Sequence, residues 1–275
     1  MRKRGAVPMK AQLWNTLRSA VRLCPERLRL AFLEQPLAVR MDFSGIKIVA
    51  HSSEEYYIRS LSAAKEPETV QWLLDMPKNA VFVDVGANIG AYSLIAAQLY
   101  PQAHILAIEP SAPTYASLCR NICTNRLHDR ITPVCAALRD TNGSCPFSYS
   151  SWQPGAALHG LGNEGQHWQL SFKLDDLIGF VGFPQPTHLK IDVDGAEQDV
   201  LGGARETLHL IQSLMIEVEE SNTSAECIRR TLEDAGLAVV SCHRTDPAGR
   251  YINYRYDRVS NCANVVDRKS LPETD

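Results

Sequence analysis

Apolar and polar positions fall into two successive rhythms along the chain. In residues 10–33, Leu13, Leu17, Val21, Cys24 and Leu28 recur three or four apart, which predicts an amphipathic helix with a break at Pro25. From Met41 the pattern changes. Residues 41–50 alternate loosely, like a strand or hairpin, and residues 66–74 read as a helix whose first turn carries Pro67 and Glu68. Short apolar runs then alternate with helical periods. Strands are predicted at 80–85, 104–108, 131–137, 188–193, 213–218 and 237–242, and helices at 91–100, 113–126, 196–210 and 225–235. This alternation predicts an α/β fold, a doubly wound and mostly parallel sheet with helices on both faces. Between 140 and 170 the rhythm stops. Asn142-Gly143, Pro154-Gly155, Gly160, Gly162 and Gly165 predict a hairpin followed by a long excursion. No internal repeat or second boundary is visible, so the chain divides into an N-terminal extension, residues 1–40, and a single domain, residues 41–275.

Charge sharpens that division. The 275 residues hold 28 Lys and Arg against 31 Asp and Glu, a net charge of −3. Nine of the basic residues lie in the first forty positions, opposed only by Glu26 and Glu34, so the extension is +7 and the remainder −10. An acidic body argues against a nucleic-acid ligand, which needs a clustered basic face. The basic helix leaves open peripheral contact with a membrane, an anionic partner or a second subunit. No window of eighteen apolar residues occurs, and the early charges make a poor signal peptide, so a cytoplasmic protein without a transmembrane segment is expected. The eight cysteines include no C-x-x-C pair and read as reduced thiols.

The densest local signal is Val81-Phe82-Val83-Asp84-Val85-Gly86-Ala87-Asn88-Ile89-Gly90, a strand that enters a glycine turn and then a helix. Gly86 and Gly90 allow a tight turn and close approach of a ligand at the carboxyl end of the strand. The next predicted strand ends in Glu109, placed to accept both hydroxyls of a ribose. Together they point to a nucleoside-containing cofactor. A dinucleotide fingerprint would carry a second glycine where this chain has Asn88, and Asp84 adds negative charge that repels phosphate. Both suit the amino-acid end of S-adenosylmethionine better than a pyrophosphate. The plainer alternative is that Asp84 and Asn88 only cap the following helix.

A second charged segment, Leu189-Lys190-Ile191-Asp192-Val193-Asp194-Gly195-Ala196-Glu197, ends the fourth strand of the alternation. In an extended chain Lys190, Asp192 and Asp194 point to one side, which gathers charge beside the first strand. Asp192 and Glu197 could bind an acceptor or take its proton, and Lys190 could hold them ionised. An internal ion pair that stiffens the sheet is the competing reading. Two acids without a third ligand do not make a metal site. Trp152, His159, His167 and Trp168 make the excursion a candidate acceptor lid.

These segments, with Ile108-Glu109-Pro110, Val200-Leu201-x-Gly203-Ala204, Leu174-Asp175-Asp176-Leu177 and Ile216-Glu217, resemble the FkbM-type S-adenosylmethionine-dependent methyltransferases over roughly residues 65–220. The resemblance implies a class I methyltransferase (Rossmann-like) fold and O-methylation of a sugar, glycan or polyketide-type hydroxyl. It further implies cofactor binding by Asp84, Gly86, Asn88, Gly90 and Glu109, with Asp192 at the junction of cofactor and acceptor. Asp192 is the first choice of proton acceptor, ahead of Glu197, Glu217 and His167. Asp194 departs from the family pattern, which has glutamate there. Rival readings are a nicotinamide-dependent oxidoreductase and a non-catalytic cofactor-binding protein on the same fold.

Overall fold

The structure is a computed structural model that describes residues 37–157, 159–161, 167–220, 224–245 and 250–259. The predicted basic helix of residues 10–33 lies outside the described residues. The described residues from Val39 onward belong to one compact unit, and none of the described helices is long and apolar enough to cross a membrane.

The domain opens with strands β1 (Leu37–Arg40) and β2 (Lys47–Ala50) and helices α1 (Ser53–Tyr57), α2 (Ser62–Lys65) and α3 (Pro67–Leu74). The alternating core follows as β3 (Val81–Val85), α4 (Ala91–Leu99), β4 (His104–Ile108), α5 (Ala112–Thr124) and β5 (Ile131–Val134). A small sheet of β6 (Ala137–Leu138), β7 (Gly143–Ser148), β8 (Gly160–Leu161) and β9 (His167–Phe172) interrupts it, and α6 (Leu174–Val181) leads into β10 (His188–Ile191). The chain ends its described course with α7 (Glu197–Gly202), α8 (Arg205–Leu210), β11 (Ser213–Glu219), α9 (Ala225–Asp234), β12 (Leu237–Arg244) and β13 (Tyr251–Arg258).

Seven strands form the main sheet in the order β12-β13-β11-β10-β3-β4-β5. The five from β11 to β5 are parallel, whereas β13 runs antiparallel to both of its neighbours. The expected doubly wound, Rossmann-like sheet is what forms. Side-chain alternation explains its two layers. Phe82, Ile105, Ala107 and Met215 face a core built with α3, α4 and α5, while Val83, Val85, Leu106, Ile108, Leu214 and Ile216 face one built with α6 to α9. Strands buried on both faces read as continuous apolar runs, which is why they were visible in the sequence.

Three expectations need correction. The strand predicted over 131–137 ends at Val134, and the chain then passes to the small sheet at Ala137. The helix predicted over 196–210 is two helices, broken at Gly203-Ala204. A Cβ on Gly203 would lie 2.0 Å from the carbonyl oxygen of Arg139, so this close approach of backbones requires glycine. Strand β13 was not anticipated, although Ile252-Asn253-Tyr254-Arg255-Tyr256-Asp257 alternates apolar and polar positions with the period of a strand.

Candidate active site

The carboxyl ends of β3, β4, β10 and β11 open onto one cavity of about 310 Å³. It sits where the sheet order reverses, β3 being flanked by β4 on one side and β10 on the other. The turn after β3 builds its floor. Gly86 and Ala87 both donate to the carbonyl of Ile108 at 3.0 Å, tying the turn to the end of β4. Gly86, Asn88 and Gly90 have φ of +77°, +51° and +87°, left-handed values that glycine adopts freely and asparagine tolerates best among ordinary residues. A Cβ on Gly86 would lie 1.8 Å from the carbonyl oxygen of Asp192, so glycine is what lets β3 and β10 end side by side.

Glu109 lines the cavity beside this turn, and its carboxylate is held from two sides. Oε2 accepts the N–H of Asn88 at 3.0 Å and Oε1 accepts that of Ser111 at 2.8 Å. Burial raises its pKa to about 7, against the lowering effect of those two N–H groups and of Arg59. Asn88 uses both ends of its side chain: Oδ1 accepts from the N–H of Ile89 at 2.9 Å, and Nδ2 donates to the carbonyl of Ala156 at 3.1 Å. The latter bond draws the start of the excursion over the cavity as a roof.

Helix α1 and the turn after it complete that roof. Ser52 and Glu55 form a reciprocal N-terminal cap, and the Ser52 hydroxyl donates to the carbonyl of Pro154 at 2.7 Å. Arg59 Nε donates to the carbonyl of Gly155 at 2.9 Å, and the N–H of Gly155 donates to Thr114 Oγ1 at 3.3 Å. His159 and Phe147 also line the cavity. His167 and Trp152 instead pack with Tyr149, whose ring stacks on Trp152 at 4.3 Å, and none of the three lines it. Residues 158 and 162–166 of the excursion lie outside the described residues.

Beneath the opposite wall lies a buried charge cluster. Lys190, only 3% exposed, stands opposite Asp84 in the β10–β3 register and donates to Asp192 Oδ2 at 2.8 Å. Its ammonium also sits 4.9 Å above the centre of the Tyr92 ring. Burial opposes the Lys190 charge, yet Asp192, Asp84 and Glu66 outweigh it and raise the pKa. For Asp192 burial acts upward, and Lys190, through its charge and its hydrogen bond, turns the balance downward. Glu217 at the end of β11 lines the same cavity. Burial, then the Asp192 charge, raises its pKa to about 7, although Thr245 donates to its Oε1 at 2.9 Å.

Of Asp84, Gly86, Asn88, Gly90, Glu109, Lys190, Asp192 and Glu197, the cavity wall carries Gly86, Asn88, Glu109 and Asp192. The other four stand behind it. Asp84 is fully buried; Ser93 donates to its Oδ2 at 2.6 Å, and burial raises its pKa. Gly90 caps α4 against Leu118. Lys190 acts through Asp192. Glu197 accepts the N–H of Gly195 at 2.8 Å, which holds the turn of Asp194 and Gly195 and their φ of +54° and +102°. Sequence reasoning did not find Arg59, Lys65 or Glu54 on the wall. They precede every glycine or acid motif, and only the fold of α1 and α2 brings them there.

The arrangement has a definite chemical bias. Glu109 offers an acceptor for ribose hydroxyls, and Ile108, Ala136, Ala137, Leu138 and Phe147 offer an apolar slot for a flat base. Beyond the glycine turn Asp192 supplies negative charge. The donor set fits a nucleoside whose other end carries positive charge, and among the described residues the N–H groups of Gly86, Ala87, Asn88 and Ile89 are already taken by Ile108, Glu109 and Asn88 rather than turned toward a pyrophosphate.

Comparison with known proteins agrees. The family described as Methyltransferase FkbM domain matches residues 84–237, more than half of the chain. Methyltransferase sdnD of Sordaria araneosa is 29% identical over 199 residues, which cover 61% of this chain and 77% of that protein. Hexuronic acid methyltransferase AglP of Haloferax volcanii is 26% identical over 215 residues, 77% of this chain and 85% of that one. The 2-O-methyltransferase NoeI of Sinorhizobium fredii is 28% identical over 164 residues, 54% and 66% respectively.

Proposed function

The chain belongs to the FkbM methyltransferase family, and from that premise we propose that it is an S-adenosylmethionine-dependent O-methyltransferase acting on a hydroxyl of a sugar, glycan or polyketide-type small molecule. The observation that carries the reading is one cavity in which Glu109 faces the glycine turn from β4 while Asp192 and Glu217 approach from β10 and β11. Membership in a methyltransferase family sets the nicotinamide reading aside. The relatives named for hexuronic acid and for 2-O-methylation support a sugar hydroxyl as the acceptor class.

In this reading Glu109 takes the ribose hydroxyls, and Gly86 and Asn88 form the floor under the amino-acid end. Asp84, Gly90 and Lys190 hold these groups in place from behind. S-adenosylmethionine supplies, when bound, an electrophilic methyl carbon on a sulfonium. The protein's work is alignment and proton removal, and alignment alone is worth effective molarities of roughly 10⁵–10⁸ M. An alcohol must lose its proton as its oxygen gains the methyl group. Asp192, kept ionised by Lys190, orients the hydroxyl and stabilises positive charge beside it. Glu217, whose pKa lies at about 7, is the better matched proton acceptor. Glu197 positions the turn that carries Asp194.

The test is transfer of labelled methyl from S-adenosylmethionine to sugar and glycan fractions, with S-adenosylhomocysteine affinity measured by calorimetry. Micromolar binding of a nicotinamide nucleotide together with no response to S-adenosylhomocysteine would overturn the proposal.

A further inference from the structure

Charge around the cavity is unbalanced in a way that the proposed chemistry leaves unused. Glu54, Glu109, Asp192, Asp194 and Glu217 contribute five carboxyl groups to the wall. Two basic side chains oppose them, and one is already engaged: Lys65 Nζ pairs with Glu66 Oε1 at 3.0 Å. The other is Arg59. It is half-buried, and none of the ion pairs among the described residues involves it. Its single hydrogen bond among those residues runs from Nε to the carbonyl of Gly155, which leaves both terminal nitrogens uncommitted.

Arg59 is also held in place. The capped helix α1 precedes it, Glu55 within that helix is fully buried, and a Cβ on Gly155 would lie 2.9 Å from Glu55 Cγ and 3.5 Å from Arg59 Cγ. Gly155 itself has φ +80°. The Nε bond therefore fixes the plane of a guanidinium whose remaining edge has two parallel donors, the geometry that takes a carboxylate in bidentate fashion. The same charge acts on the groups around it, lowering the pKa of Glu109, Asp192 and His159.

We infer that Arg59 is the carboxylate-binding residue of this cavity. The inference rests on the S-adenosylmethionine reading and specifies what that reading lacks. A wall rich in carboxylates attracts the ammonium and sulfonium groups of the cofactor but repels its carboxylate. A carboxylate carried by an acidic sugar acceptor meets the same repulsion. Either needs an anchored cation with free donors, and Arg59 is the lining residue that supplies one.

Calorimetry with two nucleosides and one sugar acid tests this. S-adenosylhomocysteine carries the amino-acid group, 5′-methylthioadenosine lacks it, and D-glucuronate presents a carboxylate on a sugar to protein saturated with S-adenosylhomocysteine. If the cofactor's carboxylate is the partner, Arg59→Gln weakens S-adenosylhomocysteine about 10- to 100-fold and leaves 5′-methylthioadenosine within about twofold. If the acceptor's carboxylate is the partner, both nucleosides bind as before and D-glucuronate binding is lost in the variant. The inference is overturned if the two nucleosides weaken equally, which marks a purely structural role through Gly155. It is overturned as well if neither S-adenosylhomocysteine nor D-glucuronate shows any dependence on Arg59. Failure of the unaltered protein to bind either nucleoside would overturn it together with the cofactor reading, a result distinct from the others.

Discussion

Glu109 and Glu217 are two carboxyl groups in one cavity, both raised to about 7 by burial, yet their surroundings assign them different work. Glu109 is fixed by two backbone N–H groups and faces the glycine turn. Glu109→Ala should therefore weaken S-adenosylhomocysteine by about 10- to 100-fold in calorimetry, and unchanged affinity would remove it from the cofactor site. Glu217 accepts a hydroxyl hydrogen bond from Thr245 and feels the negative charge of Asp192. Glu217→Gln should lower kcat by about 10²- to 10⁴-fold with cofactor affinity little changed. A base must be ionised to act, so with S-adenosylmethionine saturating, kcat/KM of the unaltered enzyme for the acceptor should rise with pH through about 7, and this limb should vanish in the variant. A limb retained in the variant would show that Glu217 is not the proton acceptor. The acids and glycines of the site were legible in the sequence because their chemistry is local to a strand end. Their division into wall and support was not, since whether Asp84 or Lys190 reaches the cavity depends on which neighbour stands opposite across the sheet.

At the scale of elements, the parallel strands and their helices were legible because burial on both faces leaves an apolar run that no surface strand shows. What escaped notice has physical causes. The break between α7 and α8 is imposed by a distant backbone, Arg139, against Gly203, and no local propensity announces it. Gly203→Ala should cost about 3 kcal/mol or more in urea unfolding, because the new carbon meets a carbonyl oxygen and not a movable side chain. A loss below about 1 kcal/mol would show that the two backbones can part. The roof was hidden for a related reason. Its bonds, Ser52 to Pro154 and Arg59 to Gly155, join segments about a hundred residues apart.

For the whole molecule, opposed titrations shape the response to pH. His188, buried at the other end of β10, has its pKa lowered to about 4, chiefly by burial. The unfolded chain takes up its proton first, so this stabilisation is complete above about 6.5 and fades as pH falls toward 4, an effect of about 3 kcal/mol. Glu109 and Glu217 act in the opposite sense: with folded pKa values raised to about 7, they favour folding at low pH and cost stability as pH rises from about 4.5 to 7. His188→Gln should uncover that second trend, with unfolding free energy falling steadily across the window, and a curve parallel to the unaltered protein's would refute a neutral His188. The placement of β13 has its own consequence for the nascent chain. Both of its neighbours, β11 and β12, leave the ribosome before it does, so the sheet is finished from the inside. Until residues 251–258 emerge, β11 presents a bare edge and β12 has no strand to join. That interval is when the chain is most exposed to pairing with another copy of itself.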